Sequence, residues 1–157
     1  MKIETGQLAP DFSLFDTEKK KVTLSDLRGK NVLLLFFPQA FTSVCTKEFC
    51  GVRDDIGRYS NVHAEVIGIS VDSVFTLKKY KEDQHYNFPF LSDFNKEVSA
   101  LYGSLIDEWI LDMKGVSKRS AFIIDKAGII NYTEVLESTN DMPNFEAINE
   151  KLDALNG

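Results

Sequence analysis

The sequence predicts an α/β domain with a central mixed sheet flanked by helices, and three features carry that prediction. Val32-Leu33-Leu34-Leu35-Phe36-Phe37 is the most hydrophobic run in the chain, bounded by Lys30-Asn31 and Pro38, as a strand buried on both faces would be. Beyond Pro38 the period changes. Phe49, Val52, Ile56 and Tyr59 recur at helical spacing, with Lys47, Glu48, Arg53, Asp54 and Arg58 between them. From there β-branched runs and helical stretches alternate, the mark of βαβ units and a parallel sheet.

Taken in order, Gly6 to Ser13, with Pro10 and the Phe12/Leu14 alternation, reads as an edge strand. Asp16 to Lys21 is a charged turn, and Val22-Thr23-Leu24 pairs back as a hairpin. Ser25 is placed to cap a single turn, Asp26-Leu27-Arg28, stopped by Gly29. The strand at 31–37 leads into a helix from Val44 to Tyr59, and Glu65 to Val71 is a second buried strand. Asp72 or Ser73 caps a helix running through Asp83, with Leu77 and Tyr80 on its faces. Phe88 to Ser92 is short and extended, and Lys96 to Tyr102 is a helix ended by Gly103.

Ser104 to Arg119 reads as a long irregular connection carrying Trp109, Ile110, Leu111 and Met113, a length and composition that suit a functional segment or an interface. Ala121-Phe122-Ile123-Ile124 and Ile129-Ile130-Asn131-Tyr132 flank Asp125-Lys126-Ala127-Gly128 as an antiparallel hairpin. A last helix, Asn144 to Leu155, sets Phe145, Ile148, Leu152 and Leu155 on one face. A βαβ unit followed by ββα is the order of a thioredoxin-like fold with N-terminal strand additions. Residues 1–157 are expected to form one domain.

Composition narrows the function. The net charge of −6, from 24 acidic and 18 basic residues, opposes nonspecific binding to nucleic acid or anionic membranes. No run approaches transmembrane length, and the N-terminus has no apolar core of a signal peptide, so a cytoplasmic setting is expected. In a reducing compartment, a chain with two cysteines uses them for catalysis or metal binding rather than as a permanent staple. A zinc site does not fit: there is no second cysteine pair, and His63 and His85 match no ligand spacing. No cofactor is expected.

Both cysteines lie in Pro38 to Cys50. Cys45 falls where the buried strand has ended and a helix begins, close to the positive end of a helix dipole, which favours the thiolate. Thr42, three residues earlier, supplies a hydroxyl, and Pro38 ends the strand without an N–H to offer.

Pro38-x-x-x-Thr42-x-x-Cys45 resembles the active-site signature of the peroxiredoxins, thiol peroxidases of the alkyl hydroperoxide reductase and thiol-specific antioxidant group. Ala9-Pro10-Asp11-Phe12, Val66-Ile67-Gly68-Ile69-Ser70 and Arg119-Ser120-Ala121-Phe122-Ile123-Ile124-Asp125 extend the resemblance over nearly the whole chain. It implies that Cys45 is the peroxidatic cysteine, attacking hydrogen peroxide or an organic hydroperoxide and becoming a sulfenic acid. It further implies that Thr42 hydrogen-bonds the peroxide, that Arg119 stabilises the thiolate and the leaving oxygen, and that Pro38 limits solvent access. Glu48 stands where many members carry an acidic residue that holds the arginine. The implied reductant is a thioredoxin- or glutaredoxin-like protein, and the implied assembly is a monomer or a homodimer.

The Cys-x4-Cys spacing to Cys50 resembles the Q-type members, in which the second cysteine resolves the sulfenic acid as an intramolecular disulfide. Val135-Leu136-Glu137 ahead of the last helix is closer to the E-type, which often lacks a resolving cysteine. On a helix Cys50 sits roughly 140° round from Cys45, with Cα atoms about 8–9 Å apart against the roughly 7 Å a disulfide tolerates. Resolution by Cys50 therefore requires the helix to open. The bland alternatives are a passive thiol at Cys50, core covering at Trp109 and surface positions for the two histidines; Trp109 also suits a dimer contact or the rim of a peroxide pocket. A one-cysteine peroxidase resolved by an external thiol, and a redox relay or holdase, are the other functional readings.

Overall fold

The computed structural model describes residues 3–156. Its chain runs β1 (Ser13–Asp16), β2 (Lys21–Thr23), a 3-10 turn (Leu24–Leu27), β3 (Asn31–Phe36), α1 (Ser43–Asp54), α2 (Ile56–Asn61), β4 (Ala64–Ser70), α3 (Val74–Gln84), β5 (Phe90–Ser92) and α4 (Glu97–Leu101). It continues through β6 (Leu105–Glu108), a 3-10 turn (Ile110–Asp112), β7 (Lys114–Ser117), β8 (Ser120–Ile124), β9 (Ile130–Val135) and α5 (Phe145–Asn156). Seven strands form one mixed sheet in the order β2-β1-β5-β4-β3-β8-β9. The β3/β4 and β4/β5 pairs are parallel and β3/β8 is antiparallel. No helix among the described residues is long and apolar enough to cross a membrane.

Side chains of a strand alternate between faces, and the two faces of this sheet bury different helices. Leu33, Leu35 and Phe37 join Ala121 and Ile123 under Cys45, Phe49 and Val52 of α1, Tyr59 of α2, Leu77 and Tyr80 of α3, and Ile148 and Leu152 of α5. Val32, Leu34 and Phe36 join Phe122 and Ile124 on the other face, covered by Val98, Tyr102 and the N-terminal Phe12. Every residue of β3 is buried, which accounts for its unbroken apolar run.

Four expectations change. The single helix expected over 44–59 is broken at Asp55 (φ −117°, ψ 22°), a poor helix former, so that α1 and α2 separately reach the core. The edge strand starts at Ser13; residues 6–9 instead bond the β9 end of the sheet, Gly6 N–H to Ile130 O at 2.8 Å and Ala9 N–H to Gly128 O at 2.9 Å. Ser25 makes no cap: its N–H donates to the Asp11 carboxylate at 2.9 Å, while the turn begins one residue earlier. The segment 104–119 is largely ordered, β6 and β7 forming a separate antiparallel pair. Ser73 does cap α3, accepting from the Thr76 N–H at 3.2 Å.

Candidate functional site

The site forms where β3 ends. Pro38 follows the strand and is buried, and the turn after it is pinned from outside: the Ala40 N–H donates to Asp72 Oδ2 at 2.8 Å, and the same oxygen accepts from Ser70 Oγ at 2.6 Å. Phe41 is held at φ +68°, a left-handed conformation unusual for a bulky side chain. Thr42 then takes the N-cap position of α1 in extended geometry, which puts Cys45 in the first turn. There the N–H groups of Ser43, Val44 and Cys45 precede the first helical bond, from Thr46 N–H to Thr42 O at 3.0 Å.

Arg119 arrives by strand register. The β3/β8 pairing sets Phe36 opposite Ser120, so Arg119 lies at the end of β3, beside the start of the turn. It shares parity with Ala121 and Ile123, whose side chains face α1, and it faces α1 as they do. Its Nη2 donates to Cys45 Sγ at 3.1 Å and its Nη1 to Glu48 Oε1 at 2.7 Å. Both ion-pair side chains are almost wholly buried, at 1% and 0% exposure.

Two further contacts, absent from the sequence reading, steady the arginine. Its Nε and Nη2 donate to the Thr139 carbonyl at 3.2 and 2.9 Å, and Trp109 Nε1 donates to the Thr139 hydroxyl at 3.0 Å. Trp109 thus has a hydrogen-bonded position beside the site. The only advance signal was an indole NH in an apolar stretch, which usually finds a partner when partly buried.

The electrostatics pull in two directions. Burial pushes the Cys45 thiol up, while Arg119 and then the hydroxyl of Thr42 pull it down, with a smaller upward push from Glu48. Burial prevails among these and leaves the thiol above its ordinary value. The first-turn N–H groups work on the side of the anion. Arg119 is the largest of the groups that oppose burial at the sulfur. Burial likewise pushes the Glu48 carboxyl up to about 7, against the opposing pull of Arg119. Glu48 Oε2 has no hydrogen-bond partner among the described residues, so only one of its two oxygens is satisfied. Burial disfavours the Arg119 charge, but Cys45 and Glu48 more than offset that, and the guanidinium stays charged.

Thr42 places its hydroxyl against the sulfur and also donates to Gln39 O at 3.0 Å. One hydroxyl proton serves either acceptor by rotation. Cys50 stands apart from this group. Half-buried, five residues along α1, its thiol faces α3: Gln84 Oε1 lies at 3.6 Å and the Tyr86 hydroxyl at 3.8 Å. Both cysteines are free thiols. Cys45, Thr42, Arg119 and Glu48 are thus brought together, Pro38 borders them in sequence, and Cys50 is held away.

A donor-lined, dry sulfur at a helix start suits nucleophilic attack on a small electrophile whose leaving group departs as an anion. The AhpC/TSA family model matches residues 5–133. A putative peroxiredoxin bcp of Coxiella burnetii is 42% identical over 135 residues, covering 83% of this chain and 87% of its own. The alkyl hydroperoxide reductase E of Mycobacterium tuberculosis is 38% identical over 136 residues, covering 85% and 86%. Among solved structures, the peroxidoxin BcpB of Mycobacterium tuberculosis superposes with a TM-score of 0.86 at 31% identity, covering 98% of both chains. The thioredoxin-like arrangement of sheet and helices is the one these structures share.

Proposed function

The chain belongs to the AhpC/TSA family and is a thiol-dependent peroxidase, and from that premise we propose that Cys45 is its peroxidatic cysteine and Cys50 its resolving cysteine. The observation that carries this reading is the 3.1 Å contact from Arg119 to the Cys45 sulfur at the first turn of α1. The Cys45 thiolate attacks the terminal oxygen of hydrogen peroxide or an organic hydroperoxide. The O–O bond breaks, the sulfur becomes a sulfenic acid, and the other oxygen leaves as hydroxide or alkoxide and takes a proton. Arg119 stabilises both the thiolate and the charge that develops on the leaving oxygen. Thr42 orients the peroxide with its rotatable hydroxyl, Glu48 holds the arginine, and Pro38 closes one wall. Cys45 has no exposed surface, so its surroundings open to admit the peroxide.

The sulfenic acid then condenses with the Cys50 thiol, forming the disulfide and releasing water. Both cysteines lie on one continuous helix, five residues and about 8–9 Å apart, so α1 opens for this step. A thioredoxin- or glutaredoxin-like protein returns the dithiol. The reading takes one domain, as a monomer or a homodimer, in a reducing, cytoplasmic setting. Two variants test it: Cys45→Ser abolishes peroxide consumption, and Cys50→Ser keeps a single turnover but stops thioredoxin-dependent recycling. Full recycling by thioredoxin without Cys50 would instead assign resolution to an external thiol.

A further inference from the structure

The resolving step needs α1 to open between Cys45 and Cys50, and what holds that segment shut is found on α3. Thr46, the residue after Cys45, hydrogen-bonds the Tyr80 hydroxyl at 3.1 Å. Phe41, at the other side of the turn, packs its ring on Tyr80 with centroids 4.9 Å apart. At the far end of the segment, the Cys50 thiol lies 3.8 Å from the Tyr86 hydroxyl. The two tyrosine rings meet edge to face at 5.0 Å, and both are buried. Both ends of the stretch that must come apart are therefore attached to one pair of phenols.

We infer that Tyr80 and Tyr86 form a clasp that keeps the N-terminal half of α1 folded and so sets the rate at which the Cys45 sulfenic acid reaches Cys50. They are positioning residues, since neither touches the reacting oxygen. The C-terminal half of α1 is tied down separately: Arg53 Nη1 donates to the Gln84 carbonyl at 2.6 Å, and the Asn87 side chain donates to the Arg53 carbonyl at 3.3 Å. Opening of the clasp thus frees the first turns while the end of the helix stays anchored. Burial pushes the Tyr80 phenol up to about 12 and the Tyr86 phenol further, so both hydroxyls keep their protons throughout the neutral range.

The inference rests on Cys50 being the resolving thiol, and the test separates the two. Tyr80→Phe and Tyr86→Phe keep the aromatic packing and remove only the hydroxyls. After mixing with one equivalent of hydrogen peroxide, quenched-flow mass spectrometry resolves oxygen addition at Cys45 from disulfide formation. Loss of one ordinary hydrogen bond corresponds to about a fivefold shift in the opening equilibrium. Each variant is expected to form the disulfide faster, about fivefold for Tyr80→Phe and by less for Tyr86→Phe, which loses a hydroxyl 3.8 Å from the sulfur, with oxygen addition unchanged. It also accumulates less sulfinic acid in excess peroxide. Tyr102→Phe is the control: its hydroxyl donates to Pro10 O at 2.6 Å on the opposite face of the sheet, and it leaves the disulfide step as it was. Unchanged disulfide formation in both clasp variants, or an equal shift in both steps, overturns the clasp. If the wild type forms no disulfide at all, the resolving role of Cys50 fails, and the clasp is then judged by amide exchange over residues 42–50. That exchange must quicken in Tyr80→Phe and Tyr86→Phe, and its failure to do so overturns the clasp on its own.

Discussion

Arg119 donates a hydrogen bond to the sulfur of Cys45 across 3.1 Å, though 74 residues of chain separate them. The contact follows from strand pairing. Antiparallel register carries Arg119 to the end of β3, and strand parity turns its side chain toward α1. The turn after Pro38 meanwhile delivers Cys45 to the same place from the other direction.

Replacing the arginine separates charge from packing. Arg119→Met keeps a long side chain but removes the largest opposition to burial at Cys45. The thiol is expected to titrate at higher pH, seen as a shift in thiolate absorbance, and kcat/KM for peroxide to fall at least about 100-fold, the scale of one lost charge-stabilising donor. An unchanged thiol titration would mean that the helix start alone holds the thiolate.

The Glu48 carboxyl, pushed up to about 7 from an ordinary 4.5, implies a pH dependence of stability. Between those values the folded chain binds more protons than the unfolded one, so stability falls as pH rises from about 4.5 to about 7. Across that window the wild type is expected to lose on the order of 3 kcal/mol relative to Glu48→Gln, which has no such proton. Denaturant unfolding at a series of pH values reads this directly. Parallel curves would show that Arg119 keeps Glu48 ionised throughout.

Opening of α1 has a local signature. Amide exchange over residues 42–54 is expected to be faster in the oxidised chain than in the reduced one, with the fast exchange concentrated ahead of Arg53. Identical exchange in both forms would contradict a disulfide between Cys45 and Cys50.

Gly68 sits in the middle of β4 because Phe90 of the neighbouring strand lies across it. A Cβ added there would come within 2.7 Å of the Phe90 ring, which is fully buried among Phe37, Phe49, Tyr80 and Tyr86. A ring so enclosed cannot step aside. Gly68→Ala is expected to destabilise the chain by about 1–3 kcal/mol, measured by denaturant midpoint, and to disturb the packing under Tyr80 and Tyr86. A midpoint equal to that of the wild type would show that the cluster can repack.

What could be read in advance divides along physical lines. The apolar run of β3, the helical stripe through Phe49 and Val52, and the hairpin around Asp125–Gly128 were legible because burial and turn chemistry leave a local pattern. The Pro38, Thr42 and Cys45 spacing was legible through its resemblance to the peroxiredoxin signature, while the strand end and helix start around it were legible from the change of period. The β6–β7 pair was hidden because its strands alternate weakly and Ile110 and Leu111 of its turn are exposed. The Thr139 carbonyl was hidden because a main-chain acceptor carries no side-chain signature. Nothing in Tyr80 or Tyr86 alone distinguished a phenol facing Thr46 or Cys50 from an ordinary core aromatic; only the packing of α3 on α1 does so.

The most direct measurement is the mass of the reduced protein after one equivalent of hydrogen peroxide, with no reductant present and the modified residues mapped. The wild-type chain is expected two hydrogens lighter with Cys45 and Cys50 joined, and Cys50→Ser one oxygen heavier with the oxygen on Cys45. Oxygen on Cys50 with Cys45 untouched, or no change in mass, would contradict this assignment.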